Sequence, residues 1–172
     1  MDRQVVHEQW EHDRATLHHL VAVATATDLG RQSQGTRWTN QQLVFHLVFG
    51  YQIARVLLVL ARVFGRLPVS VSRSFAAVLN VATPPFHVVN YLGACGGGLI
   101  GPRRAAKWLD HIIASLHRSL DRVGDAELAR GMHYPTRWDP FFQSFMTLAD
   151  IYRYPAQHFA FHQQQLTLAS AN

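Results

Sequence analysis

His158 and His162 stand four residues apart in the segment Tyr154-Pro155-Ala156-Gln157-His158-Phe159-Ala160-Phe161-His162-Gln163-Gln164-Gln165-Leu166. On a helix, side chains at i and i+4 lie one above the other on a single face. Two imidazoles placed this way can share one divalent metal ion. A third histidine, His46, stands alone in the most apolar run of the chain, Leu43-Val44-Phe45-His46-Leu47-Val48-Phe49. If the two helices pack face to face, three neutral nitrogens converge inside a bundle. Three histidines with a fourth position left open form a catalytic metal site rather than a closed structural one.

Spacing alone does not establish such a site. The chain carries 11 His in 172 residues, and at that density about 0.7 such pairs arise by chance. No His-Glu-x-x-His is present, and no carboxylate lies near His158 or His162 in sequence. No general acid or base can be assigned from the motif, so the catalytic residues stay open. Glutamines flank the pair instead, and one of Gln157, Gln163, Gln164 or Gln165 is placed to orient a ligand through a hydrogen bond.

The elements that must carry these residues read as helices. A first helix is predicted over roughly 4–28, with Asp2 as N-cap, Gly30 just past its end, and Val6, Trp10, Leu17, Val21 and Ala24 as its apolar stripe. His12, His18 and His19 lie off that stripe or at its edge and read as solvated. Thr39 with Gln42 three residues later is a capping box that opens helix two. That helix ends near Gly65, before Pro68, and residues 71–81 form a short extra helix. Pro84-Pro85 and Gly96-Gly97-Gly98 make 82–101 a long connection with turn chemistry. Helix three spans about 102–123, with Leu109, Ile112, Ile113, Leu116 and Leu120 facing the core. A second long connection covers 126–146. Thr147 with Asp150 opens helix four, which runs to about Ala169, and Pro155 kinks or restarts it. No strand signal and no internal repeat is visible. Four long helices and a short one make an all-α bundle in a single domain, 1–172.

Composition narrows the function classes. The chain is 48% hydrophobic and only 16% charged, enough to bury one core. Its formal charge of +5 is nearly all arginine, Lys107 being the only lysine. The arginines are scattered, with only Arg103-Arg104 adjacent, so no nucleic-acid partner is indicated. One cysteine, Cys95, excludes an intramolecular disulfide and suits a reducing compartment. Met1-Asp2-Arg3-Gln4 lacks the apolar core of a signal peptide, which points to the cytoplasm. Residues 43–64 are long and apolar, but His46, Gln52, Arg55 and Arg62 interrupt them. Leu43, His46, Gly50, Ile53, Leu57 and Leu60 fall on one face, with Arg55 and Arg62 on the other, which reads as a buried amphipathic helix rather than a membrane span.

The order of these signals resembles a family. A helix opening with Trp38-Thr39-Asn40 and carrying His46, a long crossover, and a last helix with His158, His162 and Gln165 are similar to the DinB superfamily of bacterial four-helix proteins, also described as DinB/YfiT-like metalloenzymes. The resemblance covers the whole chain. It implies an up-down-down-up four-helix bundle in which helices two and four are antiparallel. His46 lies near the start of helix two, and His158 and His162 toward the end of helix four, so that packing brings the three together.

The resemblance also implies the chemistry. One divalent ion would be held by His46, His158 and His162, zinc or nickel ahead of iron or manganese, since imidazole suits several metals. Family members include thiol-dependent S-transferases and an isomerase that use bacillithiol or mycothiol, so a low-molecular-weight thiol is a candidate co-substrate. A water in the thiol's place would give a hydrolase. The alternative is a non-catalytic metal-binding or small-molecule-binding bundle. The topology places Trp38, His87, Asn90 and Tyr91, with the Gly96-Gly97-Gly98 run, at the metal end as pocket candidates for a small-molecule substrate. It starts the Arg137-Trp138-Asp139-Pro140 segment at the opposite end, so His133 and Asp139 rank below them unless that connection folds back. A homodimer is expected from the apolar surface.

Overall fold

Capping chemistry sets where the helices begin. In the computed structural model of the chain, which describes residues 1–168, the Asp2 carboxylate accepts from the Gln4 and Val5 backbone N–H groups and opens α1 (Arg3–Val23). A Thr25–Asp28 capping box then opens a separate short helix, α2 (Ala26–Gly30). The single first helix expected over 4–28 is therefore two. The reason is local: Thr25 and Asp28 offer the backbone a fresh start, and Ala24 is extended.

Thr39 and Gln42 form the expected box at the start of α3 (Asn40–Phe64). The crossover carries α4 (Val69–Val81), as expected, and a further helix that was not expected, α5 (Thr83–Gly97), followed by a 3-10 turn at Gly98–Ile100. Pro84 and Pro85 lie in the first turn of α5, where backbone N–H groups have no helical partner and proline costs little. Gly97 earns its place sterically, because a Cβ there would overlap the Phe45 ring on α3.

After α6 (Pro102–Arg122) and the single-turn α7 (Asp125–Leu128), two three-residue strands pair antiparallel. These are β1 (Gly131–His133) and β2 (Phe145–Thr147), in register Gly131 to Thr147, Met132 to Met146 and His133 to Phe145. Strands of three residues are too short to show a period, which is why no strand was expected. The Thr147–Asp150 box opens α8 (Leu148–Gln163), and Pro155 is accommodated inside it. The helix ends at Gln163 rather than near Ala169, a residue outside those described.

Side-chain pairs fix the bundle's directions. Phe45 stacks on Trp108 near the starts of α3 and α6, and Arg62 bonds Ser119 near their ends, so these two helices are parallel. His18 late in α1 bonds Asp110 early in α6, so that pair is antiparallel. Arg62 late in α3 meets Tyr152 early in α8, so α3 and α8 are antiparallel as well. The result is up-down-down-up, with α1, α6, α3 and α8 in cyclic order. Trp10, Leu47, Tyr51, Leu109, Tyr152 and Phe159 fill the centre and are fully buried.

α3 is long and apolar enough to cross a membrane, with a mean hydropathy of 1.9 over its most apolar window. Its Leu43, Leu47, Val48, Tyr51, Ala54 and Ala61 are buried within the protein instead. Arg62, on the opposite face of α3, is partly buried. It donates to Glu127 at 2.8 Å, Ser119 at 3.0 Å and the Tyr152 hydroxyl at 2.9 Å, tying α7, α6 and α8 together.

Candidate metal centre

Antiparallel packing of α3 on α8 brings the start of one helix to the end of the other. His46 thereby meets His158 and His162, and one ring nitrogen from each lies within 4.8 Å of the others. Ring centroids are 5.0 Å apart for His46 and His158, 4.7 Å for His46 and His162, and 4.5 Å for His158 and His162. His46 and His158 are buried, and His162 is half-buried.

Burial dictates the protonation state. His46 is pushed down to about 3, chiefly by burial and then by the His162 imidazole. His158 falls far below its ordinary value for the same first reason, with His46 and His162 adding to it. His162 is lowered by burial, against the opposing effects of Gln165 and Asp139. All three rings are neutral at pH 7 and carry a free lone pair, as a metal ligand must. The His162 Nδ1–H donates to Gln165 Oε1 at 2.7 Å, which leaves Nε2 as its ligand atom. The Nδ1 atoms of His46 and His158 are buried without a hydrogen-bond partner among the described residues. Orphaned imidazole nitrogens are costly in an apolar interior. Three neutral imidazoles converging there fit a divalent metal ion. No fourth His, Cys, Asp or Glu joins the group among the described residues.

The centre opens on a cavity of about 520 Å³. Trp38, His87 and Asn90 line it; Tyr91 does not, and instead stacks against Trp38 with centroids 6.3 Å apart. Of the glycine run, Gly97 packs on Phe45 and Gly98 lies against Gln42, away from the cavity. His133 is also elsewhere, its Nδ1–H donating to the Ser144 carbonyl at 2.7 Å.

The position of Asp139, left open in the sequence, depends on whether its connection folds back. The 134–144 connection folds back from the far end of the bundle and lies along α4 and α5. Trp138 anchors it, donating from Nε1 to the Leu79 carbonyl at 2.9 Å and stacking on Phe86 at 3.9 Å. Asp139 then lines the cavity, with Oδ2 3.9 Å from His158 Nε2. It accepts from the Tyr154 hydroxyl at 2.9 Å and from the Phe141 N–H at 2.9 Å. Burial raises its carboxyl above the ordinary value, and those two donors and His162 oppose the rise. Burial, then Asp139, holds the Tyr154 hydroxyl well above its usual range, so it stays protonated as a donor. Tyr154 sits four residues before His158, on the same face of α8; that spacing was the one signal in the sequence that could have found it.

The bundle that carries the three histidines is matched in a solved structure. YfiT from Bacillus subtilis, described as a probable metal-dependent hydrolase with an unusual four-helix bundle topology, superposes with a TM-score of 0.65 at 15% identity, covering 95% of this chain and 83% of that one. At that identity the likeness speaks to the fold alone. No curated protein matches the chain. The sequence profile of the DinB superfamily matches residues 9–166, nearly the whole length, and with the helix order and the histidines in place the chain belongs to the DinB superfamily.

Proposed function

We propose that the protein is a metal-dependent hydrolase whose ion is held by His46, His158 and His162. The observation that carries this reading is the opening of the three-histidine group onto a cavity with a buried carboxylate beside it. When bound, a divalent ion there supplies Lewis-acid chemistry, polarising a carbonyl and lowering the pKa of a water. The protein's own groups do the rest. Asp139 is the group assigned to take the proton that the attacking water loses. The Tyr154 and Phe141 donors hold its two oxygens in place, and each keeps a lone pair free. Gln165 fixes the His162 ring. The largely apolar walls lower the local dielectric and strengthen the polar interactions at the histidine end.

A thiol in place of water would give the transferase reading. Among the described residues the cavity lining holds no Lys or Arg to pair a carboxylate-bearing thiol such as bacillithiol, so an uncharged thiol such as mycothiol would suit it better. A closed, purely structural centre is disfavoured by the lack of a fourth ligating side chain among the described residues. The reading includes a cytoplasmic homodimer. Val78, Val81, Val88 and Leu92 on α4 and α5, with Leu99 just beyond, are exposed apolar side chains suited to cover by a second copy.

The test is metal analysis and ester hydrolysis with the protein reconstituted with zinc or nickel, alongside His46→Ala and His162→Ala. Near-stoichiometric metal and turnover in the wild type, both lost in each variant, are expected. A wild type that takes up no metal would remove the reading.

A further inference from the structure

The cavity beside the metal centre has a direction and a polarity. His46, Gly50, Ile53, Leu57 and Leu60 lie along one face of α3, and all of them line it. Fourteen residues separate His46 from Leu60, a rise of roughly 20 Å along a helix. The polar groups gather at the His46 end, where His158, His162 and Asp139 meet it. Beyond them the wall is mostly aliphatic and aromatic, with Phe86 and Phe142 from other elements, and His87 and Asn90 on α5 are the further polar side chains in the lining.

Charge is nearly absent. Among the described residues no Lys, Arg or Glu lines the cavity, and the one carboxylate in its lining, Asp139, accepts from Tyr154 and Phe141. The Trp138 indole N–H is likewise consumed by the Leu79 carbonyl. Among the described residues an anionic tail would find no Lys or Arg along the walls, and a hydroxyl-rich one would find only His87 and Asn90 as polar partners beyond the metal end. Val56 and Val89, both exposed, stand at the open edge.

We propose that this cavity takes an uncharged, elongated apolar substrate, its reacting carbonyl at the histidine end and its tail along Ile53, Leu57 and Leu60. This rests on the hydrolase reading for the reaction and deepens it. For an ester, water adds to the carbonyl carbon, the bond from carbon to the alcohol oxygen breaks, and the proton held by Asp139 passes to the leaving alkoxide. The products are a carboxylic acid and an alcohol, with no other reactant needed.

The experiment uses the full-length, metal-reconstituted protein and p-nitrophenyl esters from acetate to decanoate, with a tail-carboxylated ester of matched length. Binding is read separately from turnover, with the neutral fluorescent probe N-phenyl-1-naphthylamine displaced by 1-decanol. The expected result is kcat/KM rising two- to fourfold per added methylene over the shorter esters, mostly through KM, and at least tenfold discrimination against the charged tail. Ile53→Gln and Leu60→Gln, checked for folding by circular dichroism, should flatten the chain-length dependence. A flat or falling profile, or preference for the charged tail, overturns the proposal and leaves the hydrolase reading standing. Probe binding displaced by decanol with no ester turned over sustains the apolar site and removes the hydrolase. Absence of both binding and turnover overturns the proposal.

Discussion

The missing side chain at Gly50 on α3 is what lets the His158 ring of α8 lie where it does. A Cβ built at Gly50 falls well inside contact distance of His158 Nδ1 and Cε1. The His158 ring therefore occupies the space a side chain at position 50 would take. On helix propensity alone, Gly50→Ala would stabilise α3 by about 1 kcal/mol. The expected outcome is a folded protein, judged by circular dichroism, whose metal affinity falls at least tenfold because the ring is pushed aside. Unchanged affinity by competition with a chelator would show that His158 has room to shift.

Gln165 fixes the His162 tautomer from just beyond the end of α8. Gln165→Ala removes that acceptor and leaves the ring free to turn. Metal affinity should drop about 10- to 100-fold, with little change in thermal stability. An equal loss in Gln164→Ala, whose residue is the α8 C-cap, would point to a general effect on the helix end instead.

Asp139→Asn keeps the shape and can still accept from Tyr154, but it cannot take a proton. Ester hydrolysis should fall by about 10²- to 10⁴-fold in kcat while bound metal stays stoichiometric. Wild-type kcat in this variant would strip Asp139 of its assigned role and leave it as a packing residue.

Two buried groups pull acid stability in opposite directions. Asp13 is raised to about 6, mainly by burial, with bonds from Tyr51 and Gln9 opposing. Between the ordinary value of 3.8 and about 6 the folded state therefore binds more protons than the unfolded one, and stability falls as pH rises through that window. Asp13→Asn should abolish this fall and stabilise the protein at pH 7 by about 2–3 kcal/mol, provided Tyr51 keeps a partner. His46 works the other way. Its folded value of about 3 lies below the ordinary 6.5, so in metal-free protein its contribution is complete above 6.5 and is lost as pH falls toward 3. Urea unfolding of chelator-treated wild type, Asp13→Asn and His46→Leu across pH 4–8 separates the two slopes.

Val81 at the end of α4 and Leu92 on α5 are 82% and 59% exposed. If a second copy covers this face, Val81→Asp with Leu92→Asp should convert a dimer to a monomer in light scattering, with unfolding temperature reduced at low protein concentration. A wild type that is monomeric at high concentration would exclude this interface.

Much of this molecule is written locally. The Thr39–Gln42 and Thr147–Asp150 boxes are readable because a capping box needs only residues three apart. The face of α3 that runs from His46 through Ile53 to Leu60 is readable because helical periodicity is local too, though the sequence could not show that it walls a cavity. Prolines misdirect the reading of α5: Pro84-Pro85 signals a turn unless it is known that a helix starts there. Arg62 falls opposite the His46 stripe on the helical wheel, and only the structure shows that Glu127, Ser119 and Tyr152, distant in sequence, bind it there.

The sequence by itself determined the all-α bundle, the placement of His158 and His162 on one helical face, and the position of His46 near the start of its helix. Each follows from spacings of three or four residues and the backbone geometry that repeats with them. Tertiary structure decided what surrounds those rings. Asp139 reaches His158 only because the 134–144 connection doubles back, anchored by Trp138 on Leu79 and Phe86. His158 is seated only because the residue facing it across the helix pair is Gly50. Both depend on contacts between residues far apart in the chain, whose partners are chosen by how the whole core packs and leave no periodic trace in the sequence.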